Sequence, residues 1–69
     1  MNNREQIGSR IREIRMKQGL SVEDLAKKTG LLYANIVRIE TGRYAVNIDI
    51  LQIIASALNC TVKIIENQK

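Results

Sequence analysis

The chain has 69 residues, 45% of them hydrophobic, with 11 Lys and Arg against 7 Asp and Glu, no histidine and 1 cysteine. A chain of this length is expected to form one small domain without a catalytic cleft and its supporting shell. The absence of histidine removes imidazole acid–base chemistry and imidazole metal ligation, and a lone Cys60 can build neither an internal disulfide nor a zinc cluster. The net charge of +4 favours a polyanionic partner without identifying one.

With two tyrosines and neither Phe nor Trp, the core has to be aliphatic. A first helix is predicted over residues 4–18, where Ile7, Ile11 and Ile14 recur at helical spacing among Arg4, Glu5, Arg12, Glu13 and Lys17. Gly19 supplies its stop and Leu20 turns back toward the core. A second helix is predicted over 22–29, and a third from Leu32 or Tyr33 to Thr41. Residues 43–47 are a connecting loop. Asn47 is placed to cap a fourth helix over 48–58, with Asp49 favouring its dipole and Asn59 suited to the left-handed turn that ends it.

The fourth helix carries more apolar surface than one face needs. Ile48, Leu51, Ile54, Ala55 and Leu58 are assigned to the inward stripe, and Ile50, Ile53 and Ala57 to a second stripe exposed in a monomer. The β-branched run from Thr61 to Glu66 predicts a short strand, which has no ladder partner in an otherwise helical domain. Two subunits that pair these strands and pack their fourth helices would satisfy both. The expected homodimer interface is therefore Ile50, Ile53, Ala57, Val62, Ile64 and Ile65. A frayed tail with a few surface isoleucines is the plainer alternative. Cys60 is expected to be a buried small apolar residue. No apolar run reaches the ~20 residues that cross a bilayer and no signal-peptide pattern opens the chain, so a cytoplasmic protein is expected.

Ser21 to Gly42 is the most informative stretch. Ser21 and Asp24 have capping-box spacing, Leu25 and the small Ala26 face inward, and Gly30 can take the left-handed conformation that redirects the chain. Ile36 and Ile39 then form the inward stripe of the next helix. Few folds need this order of features, and the helix-turn-helix, whose second helix enters the DNA major groove, is one of them.

In the blocks IGSRIREIRMKQGLSVEDLA, KKTGLLYANIVRIETG and NIDILQIIASALN the chain resembles the Cro/phage-repressor (XRE-type) helix-turn-helix family, in register over about residues 7–58. The tail from Cys60 onward resembles the strand extension of some dimeric members, the antitoxin branch included. The resemblance implies an all-α, lambda-repressor-like bundle of four to five short helices, plus a C-terminal strand pairing across a dimer. It also implies one domain over 1–69: a helical core at 4–59, a dimerisation strand at 60–66 and a tail at 67–69. Arg15 is implied to pair with Glu40, holding the third helix, and to be a phosphate donor as well. The chain departs from the pattern at Val22, where relatives use a Gln amide on phosphate, and at Leu32 and Ala34, where they are polar.

On that basis Tyr33, Ala34, Asn35 and Arg38 are the base-edge candidates, and Arg15, Arg43 and Tyr44 the phosphate candidates. Each has a plainer alternative: Tyr33 and Arg38 as solvated surface groups, Asn35 as a solvated amide, Tyr44 as packing on the fourth helix. Ala34 can touch a thymine methyl but makes no hydrogen bond, and Val37 either does the same or flanks the core. The expected function is sequence-specific binding of double-stranded DNA as a homodimer, as a transcriptional repressor. An antitoxin-type partner of a toxin and a protein–protein adaptor on the same fold are the alternatives. No catalytic residue, metal or cofactor is expected.

Overall fold

The computed structural model describes residues 3–62, which form four helices: α1 (Asn3–Lys17), α2 (Val22–Thr29), α3 (Tyr33–Glu40) and α4 (Ile48–Ala57). Each lies within about one residue of its sequence-based prediction. The local signals behave as expected. Ser21 Oγ accepts from the Asp24 amide while the Asp24 carboxylate accepts from the Ser21 amide, both at 2.9 Å. That second bond, from the Ser21 N–H, is the main reason the Asp24 carboxyl is held below its ordinary value. Asn47 Oδ1 caps α4 through the Ile50 amide at 2.8 Å, and Asn59 takes φ 58° beyond its end.

α1 packs on α3, and α2 packs on both α3 and α4. Each helix contributes to one core: Ile11 from α1, Leu25 from α2, Ile36 and Ile39 from α3, and Ile54 from α4, joined by Leu58. Burying each such side chain is worth about 1.5–3 kcal/mol relative to exposure. Leu20, as expected, folds back against this cluster. The far end of α4 is tied to the end of α1 by Gln18, whose amide donates to the Leu58 carbonyl at 2.7 Å. That bond satisfies a helix-end carbonyl that no residue of its own helix can reach.

The structure rephases α4. Ile48, assigned to the inward stripe, is 52% exposed, whereas Ile50 and Ala57, assigned to a free second face, pack against the core. The buried centre is Ile54. At helical periodicity Ile50 and Ala57 stand within about 40–60° of it and Ile48 about 120° away. Because α2 also covers α4, the wide arc from Ile50 to Leu51 serves the monomer itself. Of the three residues expected at an α4 dimer face, Ile53 alone is classed as exposed, at 42%.

One further expectation changes at the C-terminal side. Cys60 is exposed, not buried, because the chain turns outward after Leu58; its thiol donates to the Leu58 carbonyl at 3.5 Å. Val62 lines an apolar groove of about 310 Å³ with Ile7, Ile14 and Leu51, between α1 and α4. The remainder of the expected strand, Ile64 and Ile65 included, lies outside the described residues.

The α1–α3 crossing depends on Gly8, which hydrophobic periodicity does not single out. A Cβ at Gly8 would run into the Ile39 carbonyl oxygen and lie 2.9 Å from that of Glu40. Alanine is intrinsically the better helix former by about 1 kcal/mol, but here it has no space. Gly8→Ala is expected to destabilise the protein by about 1–3 kcal/mol, the usual range for overpacking. Denaturant unfolding measures this, and an unchanged midpoint would mean that the two helices are not in such close contact.

Candidate nucleic-acid interface

The turn between α2 and α3 is made by Gly30, which sits at φ 75° and donates its amide to the Ala26 carbonyl at 2.8 Å. The left-handed conformation is one that a side chain would strain. Thr29 completes the turn: its hydroxyl donates to the Leu25 carbonyl at 2.8 Å and accepts from the Leu31 amide at 3.2 Å. Leu25 and Ile36, both fully buried, then fix the two helices against each other.

From behind, α3 is held by charge. Arg15 Nε donates to Glu40 Oε2 at 2.7 Å and Nη2 to Oε1 at 3.0 Å, while Nη1 donates to the Leu20 carbonyl at 2.7 Å. This is the expected Arg15–Glu40 pair, in forked geometry, with the two residues 8% and 9% exposed. The hydrogen bond to Glu40 raises the Arg15 pKa and outweighs the opposing effect of burial. All three guanidinium nitrogens are engaged within the fold, through three of the five N–H donors, so Arg15 holds α3 in position.

In front, Tyr33, Ala34, Val37, Arg38, Thr41 and Arg43 line one open concavity of about 490 Å³. Three of the four base-edge candidates, Tyr33, Ala34 and Arg38, are thus brought together with the phosphate candidate Arg43. The fourth, Asn35, stands beside them, and its amide oxygen accepts from Arg38 Nη1 at 3.3 Å. Arg43 is placed by the helix end, its amide donating to the Arg38 carbonyl at 2.9 Å. Tyr44 is 44% exposed in the following loop and does not line the concavity.

Residues that the sequence left undecided or unmentioned also reach this face. Val37, at 37% exposure, belongs to the outer concavity rather than the core. Thr41 closes it, donating to the Val37 carbonyl at 2.8 Å. Leu32, at the N-cap of α3, is 69% exposed and makes no side-chain cap bond. No group of described residues could hold a metal ion, and no described helix is long and apolar enough to cross a membrane.

A model of the Helix-turn-helix family matches residues 11–65. An HTH-type transcriptional regulator of uncharacterised function from Archaeoglobus fulgidus is 38% identical over 55 residues, covering 80% of this chain and 79% of its own. The chain belongs to the helix-turn-helix family of DNA-binding transcription regulators. Among solved structures it is similar to the clp gene regulator ClgR of C. glutamicum, with TM-score 0.83 and 27% identity over 86% of this chain and 76% of that one. It is likewise similar to the restriction-modification controller protein C.AhdI of Aeromonas hydrophila, with TM-score 0.80 and 33% identity over 83% and 86% of the two chains. The lambda-repressor-like, XRE-type fold expected from the sequence is the fold observed.

The Arg15–Glu40 pair is what holds α3, the second helix of the helix-turn-helix, against the scaffold. Glu40→Ala is expected to destabilise the domain by about 3–5 kcal/mol, because it strands a buried guanidinium. Thermal unfolding of the variant tests this, and a loss below 1 kcal/mol would mean the pair is not a structural anchor. Leu32→Ser has the opposite sign: a hydroxyl at the N-cap is expected to add about 1 kcal/mol of stability by accepting an orphan amide of α3. Unfolding midpoints of the two proteins decide it, and a lower midpoint for Leu32→Ser would place Leu32 in a packing role.

Proposed function

We propose that this regulator is a homodimeric, sequence-specific repressor that lays α3 in the major groove of palindromic DNA half-sites. The observation that carries the reading is the outer face of α3. Tyr33, Ala34, Val37 and Arg38 stand open to solvent on a helix whose back is fixed by Ile36, Ile39 and the Arg15–Glu40 pair. Arg38 would reach guanine O6 and N7, the commonest specific contact of an arginine in the major groove. Arg43 and the Tyr44 hydroxyl would grip flanking phosphates and set the register. Arg15 acts indirectly, through Glu40.

The dimer would use the exposed side of α4 around Ile53, bounded by Asp49, Gln52 and Ser56. A twofold axis there would set the two recognition helices about 34 Å apart, one helical turn of DNA. Occupying a promoter is enough for repression, and the role requires neither an enzymatic step nor a cofactor. The site of action would be the cytoplasm.

Selection of bound duplexes from a random pool tests this reading. The expected product is a palindrome with half-sites centred about 10 base pairs apart. Arg38→Ala is expected to relax the preference at one position of each half-site, at about 1–3 kcal/mol, while Arg43→Ala weakens all sequences alike. No enrichment at low salt, where electrostatic attraction is strongest, would overturn the proposal.

A further inference from the structure

The recognition face breaks two local rules at once. A helix N-cap is normally Ser, Thr, Asp or Asn, yet α3 begins with Leu32, which caps nothing and is the most exposed of the large apolar side chains described. An outer helical face is normally polar, yet Ala34 and Val37 stand there one turn apart, beside the ring of Tyr33. Where a chain departs from local preference without a gain in packing, the departure points to function.

The polar groups on this face are few. Arg38 and Asn35 are hydrogen-bonded to each other at 3.3 Å, so the amide orients the guanidinium and has one acceptor less for a base. The first turn of α3 carries no acidic residue, and the carboxylate at its end, Glu40, is buried against Arg15. The face is therefore apolar at its centre and cationic at its edge, where Arg38 and Arg43 stand. That charge suits a polyanion such as nucleic acid rather than a basic or neutral protein surface.

Of the marks displayed in the major groove, one is apolar: the C5 methyl of thymine. Resting on the DNA-binding reading above, we infer that α3 reads its half-site chiefly through thymine C5 methyl groups seated against Ala34 and Val37, with Arg38, oriented by Asn35, on a neighbouring guanine. The two side chains are three residues apart, about 4.5 Å along the helix axis, which reaches base pairs that rise by about 3.4 Å. A methyl on C5 of cytosine projects into the same part of the groove. Such a face accepts 5-methylcytosine in place of thymine and discriminates against unmethylated cytosine.

The test uses the duplex recovered by selection, with each thymine replaced in turn by deoxyuridine, a change that removes the methyl and leaves every hydrogen-bonding group in place. One or two positions per half-site are expected to weaken binding by about fourfold each, the effect of burying one methyl-sized group. Val37→Ala, checked for an unchanged helical spectrum, is expected to abolish the deoxyuridine effect at one of them. At the same positions, a 5-methylcytosine·guanine pair is expected to bind more tightly than a cytosine·guanine pair. Equal affinity for all deoxyuridine duplexes, or a selected half-site without thymine, would overturn methyl readout while leaving DNA binding intact. Failure to bind any duplex would overturn the DNA-binding reading, and this inference with it.

Discussion

The forked bond between Arg15 and Glu40 joins the end of α1 to the end of α3 across 25 residues of sequence, and the rest of the site is arranged around it. Its third nitrogen holds the Leu20 carbonyl, so the turn leading into α2 is fixed by the same guanidinium. A buried pair of this kind contributes little net stability against an apolar replacement, but it specifies geometry, since either partner left alone is strongly unfavourable. Here the geometry specified is the attitude of α3. Gly8 completes the constraint from the other side by letting α1 lie directly on the last carbonyls of that helix.

With its back fixed in this way, α3 is free to carry an outer face that does little for the fold. Leu32, Tyr33, Ala34 and Val37 expose apolar surface without adding to the core, and the helix begins without a side-chain cap. Core stability comes instead from Leu25, Ile36, Ile39 and Ile54, which are all but excluded from solvent. Scaffold and exposed face are thus opposite sides of one short helix. Substitutions on the inner side disturb the core, while those on the outer side leave it untouched.

Most of the secondary structure was legible because its signals are local. The Ser21–Asp24 capping box, the Asn47 cap, the turn at Gly30 and the left-handed Asn59 each act within a few residues. The phase of α4 was not legible. Its isoleucines at 48, 50, 53 and 54 occupy several directions around the helix, and periodicity alone does not choose among them; packing against α2 does. Cys60 was misplaced for a related reason: small apolar character favours burial on average, but the path of the chain after Leu58 carries this one outward.

By itself the sequence determined the four helices, the helix-turn-helix between Ser21 and Gly42, and the family, because caps, turn glycines and 3.6-residue periodicity are written in neighbouring residues. It also supplied Tyr33, Ala34, Arg38 and Arg43 as candidates. Tertiary structure decided which of these share a surface, that Val37 and Thr41 join them, and that Asn35 turns its amide to Arg38. It decided too that Arg15 is bonded inside the fold and that α1 lies on the last carbonyls of α3 at Gly8. Those are relations between residues far apart in the chain. Only the packing of one helix against another fixes the distances on which they depend.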